Sequence, residues 1–219
     1  MGKEARSKKA GQTANPYPQT KVAREDWLRL ALKTLMTDGV ESVKVLDLAR
    51  RLGVSRSSFY WYFASRQDLL DQLLKHWTET NTKAIVDHAA QPAASIMEGI
   101  INIATCWLNR RLFDPRLDFA IREWARRSST VHKIVRQADD QRVAAIQQLF
   151  LRHDYAPRDA FTRARVLYFM QIGYYALDIK EDLEQRIAPT AEYLRAFTGR
   201  DPEPGMVNRF IGELRQRAR

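Results

Sequence analysis

Apolar residues recur every three or four positions along most of the chain, strand-like alternation is nearly absent, and Gly and Pro fall mostly between the periodic stretches. This pattern predicts an all-α protein. Trp27, Leu28, Ala31, Leu32 and Leu35 form the stripe of a first helix that ends near Asp38-Gly39, and Val45, Leu48, Ala49 and Leu52 form a short second one that stops at Gly53. Ser55 is placed to cap a third helix whose Phe59 and Phe63, four apart, face inward together. Ser65 is placed to cap a fourth and longer helix, striped by Leu69, Leu70, Leu73, Leu74 and Trp77, which can link two domains.

The rest of the chain continues in the same period. Pro92 is expected to open a helix carrying Ile96 to Leu108, and "LFDPRL" breaks it before a shorter helix with Leu117, Ile121 and Trp124. Val131 to Phe150 marks the next. From Pro157 a helix runs through "RVLYFMQIGYYAL", apolar nearly all round, so it needs cover on more than one side. Gly173 within it costs about 1 kcal/mol of helix propensity relative to Ala, which suggests close approach by another helix. Two final segments follow, Leu183 to Phe197, kinked or divided by Pro189, and Met206 to Leu214. There is no internal repeat. The implied organisation is a disordered basic arm over 1–21, a small domain over 22–68 and a larger helical domain over 69–219.

Charge narrows the class of partner. The formal net charge is +10, and residues up to Arg66 hold 13 of the 36 Lys and Arg but only 6 of the 26 Asp and Glu. A basic excess concentrated at the front favours a polyanion such as nucleic acid. The single cysteine, Cys106, excludes an intrachain disulfide, no cysteine spacing suits a metal, and no apolar run approaches the roughly 18 residues of a membrane helix. The expected setting is cytoplasmic, without membrane contact. The opening "MGKEARSKKAGQTANPYPQTK" is basic but lacks the apolar middle of a signal peptide.

Two short helices joined at Gly53 match a helix-turn-helix, in which the second helix lies in the major groove. Val45, Ala49, Val54 and Phe59 would hold the pair together, which leaves Arg56, Ser57, Ser58, Tyr60, Trp61 and Tyr62 outward to meet phosphates, base edges and thymine methyls. The order of "DG" at Asp38-Gly39, "LARRLGVS" from Leu48 to Ser55, "FYWYF" from Phe59 to Phe63 and "SRQDLL" from Ser65 to Leu70 resembles the DNA-binding domain of TetR-type transcriptional repressors. The resemblance spans about a third of the chain, Val22 to about Leu74, with weak echoes beyond such as "REWARR".

That resemblance implies a homodimer, usually joined through a four-helix bundle of its last long helices, with an inducer pocket in a helical C-terminal domain and no enzyme activity, cofactor or metal. It places Tyr60 where the family contacts backbone or base, Tyr62 where it touches phosphate, and Arg56, Ser57 and Ser58 at variable reading positions. Arg66 stands in place of the usual lysine and keeps the cation with a forked donor. Lys44 stands where a threonine is common, which offers charge to a phosphate in place of a helix cap. Arg50 and Arg51 fit a solvated helix face as well as they fit DNA.

Catalytic patterns are missing. His76, His88, His132 and His153 have no ligand spacing, Cys106 sits in an apolar helix as a small hydrophobe, and no Gly-rich phosphate loop or nucleophile elbow occurs. Large aromatics on three separate helices could wall an apolar cavity: Trp107, Phe113, Trp124, Tyr168 and Tyr175, with Asn102, Arg122 or His132 as polar anchors. The expected protein is therefore a homodimeric, ligand-responsive repressor that binds a pseudo-palindromic operator in double-stranded DNA and is released by a small-molecule inducer. An architectural protein that coats DNA without sequence preference is the alternative.

Overall fold

The computed structural model describes residues 22–203 and 205–217, all helices and connections. The basic arm expected over 1–21 lies outside the described residues. Helices α1 (Arg24–Asp38), α2 (Val45–Leu52) and α3 (Arg66–Trp77) form the N-terminal unit. α3 does not end at Trp77. Thr78–Thr82 widen into one π turn and α4 (Lys83–Ala90) continues beyond it, so one long rod leaves the first domain.

Then come α5 (Ile96–Leu108), α6 (Pro115–Ala125), α7 (Ser129–Leu151), α8 (Pro157–Ala176), α9 (Leu183–Ile187), α10 (Thr190–Thr198) and α11 (Met206–Arg217). Pro92 does not open α5: Ser95 does, its hydroxyl accepting the Glu98 N–H at 3.2 Å. Asp114 caps α6 through the Arg116 and Leu117 amides ahead of Pro115. Pro189 divides the last segments, standing at the N-cap of α10. No helix among the described residues is long and apolar enough to cross a membrane.

Two apolar cores organise these helices. The first joins Trp27, Leu35, Leu48, Phe59, Phe63 and Leu73 with Leu117, Ile121 and Trp124 of α6 and Val131 and Val135 of α7. The helix-turn-helix is therefore packed onto the larger domain rather than tethered beside it. The second core lies among α4, α5, α7, α8 and α10, around Ile103, Ile146, Phe150, Ala164 and Leu167.

Close helix approach falls at Gly99, not at Gly173. A Cβ on Gly99 would lie 2.4 Å from Leu149 Cδ1, which brings α5 hard against α7. A Cβ on Gly173 would meet nothing within 4 Å, so α8 has no neighbour there within the protomer. The all-round apolar helix is in fact one-sidedly covered. Ala160, Ala164, Leu167 and Tyr168 are buried, whereas Phe161, Val166 and Phe169 are exposed at 44%, 52% and 43%.

Candidate functional site

The turn of the helix-turn-helix is closed by Gly53, whose φ of 68° is left-handed and whose N–H reaches the carbonyls of Ala49 and Arg50. The segment after it, Arg56–Trp61, is a 3₁₀ helix rather than the expected α-helix. Ser55 stands at its N-cap with extended backbone, but its hydroxyl pairs with that of Ser57 at 2.8 Å and caps no amide. Phe59 anchors the segment. Its ring is fully buried, 5.3 Å edge-on to Trp27 and 5.1 Å from Phe63.

With Phe59 turned in, its neighbours turn out. Trp61 is 77% exposed and Tyr60 48%, both unusual for large rings on a folded surface. Arg56 lies over the Tyr60 ring at 5.9 Å and donates to its hydroxyl at 3.1 Å, so cation and ring form one presented unit. Ser57 is exposed, Ser58 donates to the Ser55 carbonyl, and Lys44 is exposed at the N-cap of α2.

Two expected contact residues have intramolecular roles here. Arg66 forks onto the carbonyls of Val43 and Val40 at 2.6 and 2.8 Å, tying α3 to the turn before α2. Tyr62 donates to the Val22 carbonyl at 3.0 Å and holds the start of α1. Of the flanking arginines, Arg50 pairs with Asp47 and Arg51 donates to Thr34. The sequence signal for Arg66 and Tyr62 was chemical type. Which way such side chains turn depends on carbonyls some 23 to 40 residues away.

Behind this surface lies a buried ionic cluster. Arg142 of α7 has no exposure and Asp118 of α6 3%, paired at 3.0 Å. Asp118 also accepts from Trp77 Nε1 and Arg122 Nε, while Arg142 donates to Thr82 Oγ1 in the π turn and to the Tyr168 hydroxyl. Tyr168 in turn donates to Asp139 at 2.6 Å, and Asp139 takes both guanidinium arms of Arg122. Burial pushes the Asp118 carboxyl up, but the charges of Arg142 and Arg122 outweigh it and hold the group below its ordinary range. The cluster thus pins the rod that leaves the helix-turn-helix to α6, α7 and α8. Sequence reasoning missed Asp118, Asp139 and Arg142, since solvated helix faces carry the same residues.

A cavity opens between α5, α8, α10 and α11, with about 100 Å³ of free space. Ile100, Leu167, Leu194, Phe197 and Phe210 give it apolar walls, and Arg186 and Glu181 stand at its edge. Trp107 and Gln171 also line it, and their Nε1 and Nε2 atoms are buried without a hydrogen-bond partner among the described residues. A wider, more polar cleft of about 910 Å³ adjoins it, lined by Met36, Arg110, Phe119 and Tyr175, with Trp107 common to both.

The eight expected wall residues do not converge on one space. Trp107 lines both cavities and Tyr175 the wider one, while Phe113 is fully buried against Tyr175 with centroids 5.6 Å apart. Arg122 and Tyr168 belong to the ionic cluster, Trp124 to the N-terminal core, His132 is exposed, and Asn102 is half-buried on α5. Gln171 was missed because a glutamine in an apolar helix gives no signal of its own.

Burial raises the Cys106 thiol to about 12, so it holds its proton at neutral pH. Among the described residues no group of three or more His, Cys, Asp or Glu is placed to hold a metal.

Comparison with known proteins agrees with the N-terminal geometry. Residues 28–73 match the model of bacterial regulatory proteins, tetR family. The class C tetracycline repressor protein of Escherichia coli is 42% identical over 53 residues, 24% of each chain, and the transcriptional repressor KstR2 of Mycobacterium tuberculosis 31% over 77 residues, 34% of this chain and 38% of that one. The chain thus spans well under half the length of these relatives. In fold the likeness is wider: Mycobacterium smegmatis AmtR aligns with a TM-score of 0.59 at 18% identity over 91% of this chain and 97% of its own, and Salmonella enterica GusR with 0.56 at 15% over 92% and 98%. The N-terminal helix-turn-helix, over residues 28–73, is thus the part of the chain that matches the tetR family of bacterial regulatory proteins.

Proposed function

We propose that this protein is a homodimeric, ligand-responsive transcriptional repressor that binds a pseudo-palindromic operator. The observation that carries the reading is the presented face Arg56, Tyr60 and Trp61, with Ser57 and Lys44 beside it, on a domain matched to a family of regulators. These groups suit phosphate and base-edge contact. Arg66 and Tyr62 support it by fixing the segment's angle.

Dimerisation uses α8. Phe161, Val166 and Phe169 form an exposed stripe at helical spacing that continues to Gly173, and Arg165 covers the Phe161 and Phe169 rings at 5.4 and 4.7 Å. A second copy of α8 would bury that stripe. Ligand response runs through the ionic cluster: Gln171 in the cavity wall and Tyr168 in the cluster are three residues apart on α8, and the cluster holds Trp77 and Thr82 of the rod. The inducer must favour the state that does not fit DNA, because affinity equal in both states shifts nothing. On this reading the chain performs no catalysis and needs no cofactor.

The test is fluorescence anisotropy with DNA from upstream of the protein's own gene against scrambled DNA of equal length and salt. A preference of roughly 10³ or more is expected. Equal affinity that collapses with salt would favour the architectural, non-specific alternative.

A further inference from the structure

The two cavities of the larger domain meet at one guanidinium. Arg186 of α9 lines both the pocket of about 100 Å³ and the cleft of about 910 Å³. It is half-buried, lies 4.7 Å over the Tyr174 ring and 5.8 Å over that of Tyr175, and makes no ion pair among the described residues. Stacking on a ring engages the flat face of a guanidinium and leaves its in-plane N–H donors for other partners. The carboxylates of the cleft are already engaged. Asp178 pairs with Lys180 at 2.6 Å, Glu181 accepts from the Tyr174 hydroxyl at 2.9 Å, and Asp182 accepts from the Gln185 amide at 2.8 Å. Arg110 on the same cleft is exposed and has no ion pair among the described residues, and Arg116 reaches only Asp114, at 3.9 Å. The cleft therefore presents cations in excess of the carboxylates free to answer them.

We infer that pocket and cleft form one site for a monocarboxylate with a short apolar body, its carboxylate forked by Arg186 and its body laid in the pocket. The inference gives a chemical class to the inducer and in that respect rests on the proposed function. A guanidinium fork matches the two oxygens of a carboxylate, and such a pair gains more in a half-buried site than in open water. Arg110 and Arg116 add positive potential at the mouth, which draws an anion in. Glu181 lines both spaces and repels a second carboxylate, so a monoanion is selected over a dianion. Ile100, Leu194 and Phe210 in the pocket wall select hydrocarbon for the body. About 100 Å³ of free space suits a few carbons or one small ring; an apolar cavity of roughly 150 Å³ takes benzene. Met36 of α1 lines the same cleft, so an occupant touches the helix-turn-helix domain as well as the larger one.

The test uses the full chain without DNA, titrated by calorimetry at neutral pH with hexanoate, octanoate and 3-phenylpropionate, each against its primary amide. At least one acid is expected to bind about tenfold or more tightly than its amide, the worth of a charge-assisted hydrogen bond. Acetate, which lacks the apolar body, should bind about tenfold or more weakly than that acid. Arg186→Met keeps an apolar stem over the tyrosine rings and should bring the acid-to-amide ratio near unity. Ala104→Leu narrows the pocket and should weaken acid and amide alike while leaving their ratio unchanged. No preference for any acid over its amide, a preference that survives Arg186→Met, acetate binding as tightly as the best acid, or undiminished binding in Ala104→Leu would each overturn the inference. The wild-type ratios decide it even where a variant fails to fold. Operator anisotropy separates the two proposals. A bound acid that leaves operator affinity unchanged defeats ligand-responsive repression but keeps the site, and operator binding without any acid preference does the reverse.

Discussion

Two of the places where the larger domain buries polar groups differ in how far those groups are satisfied. Around Arg142, donors and acceptors are matched across four segments, with Asp118 alone accepting from Trp77, Arg122 and Arg142. At Trp107 and Gln171, one buried donor each is left unmatched among the described residues. A closed network resists rearrangement and fixes one arrangement of helices. The contrast assigns scaffold to the first, and the two meet α8 within a turn of each other, at Tyr168 and Gln171.

Breaking the closed network should have the largest effect. Arg142→Met leaves Asp118, Tyr168 and Thr82 without their buried partner and is expected to cost about 3–5 kcal/mol in urea unfolding. A loss under 1 kcal/mol would place the cluster on a par with exposed ion pairs and end the contrast. Overpacking comes next. Gly99→Ala forces a methyl into Leu149 and should cost about 1–3 kcal/mol.

The cluster also sets a sign for acid. Because Asp118 is held below its ordinary value of 3.8, it stabilises the fold above that pH, and the contribution is lost as pH falls through the lower folded value. Acid unfolding monitored by circular dichroism should therefore be steeper in the wild type than in Asp118→Asn over that range. Equal slopes would mean Asp118 is not the group that titrates.

The smallest effect sharpens the picture of α8. Gly173→Ala meets no neighbour within the protomer, so it should raise stability by up to about 1 kcal/mol where α8 is free and lower it where a second α8 packs closely. Light scattering on the same variant tells which applies: a weakened dimer accompanies the second case only.

Much of the N-terminal domain could be read from the chain because its signals are local. The stripe of α1, the left-handed stop at Gly53 and the inward pair Phe59 and Phe63 depend on spacing within one or two turns. Tyr60 and Trp61 are exposed for the same reason: they flank an anchored Phe59. The helix type at Arg56–Trp61 was not legible, because residues three apart share a side in an α and in a 3₁₀ turn alike, and the segment is only six residues long. Nor was the start of α5, where Ser95 rather than Pro92 supplied the cap.

What the sequence determined by itself was the all-helical period, the turn at Gly53, the apolar interior and the basic front, each a property of neighbouring residues or of their sum. Tertiary structure alone decided that Arg66 grips Val40 and Val43 and that Arg142 meets Asp118. It also decided that within the protomer Gly99 and not Gly173 is the close contact, and that Trp107 and Gln171 share a wall. The physical reason is common to all of these. A buried charge or amide takes its meaning from the partners it finds, and those partners are brought by helices far away in the chain.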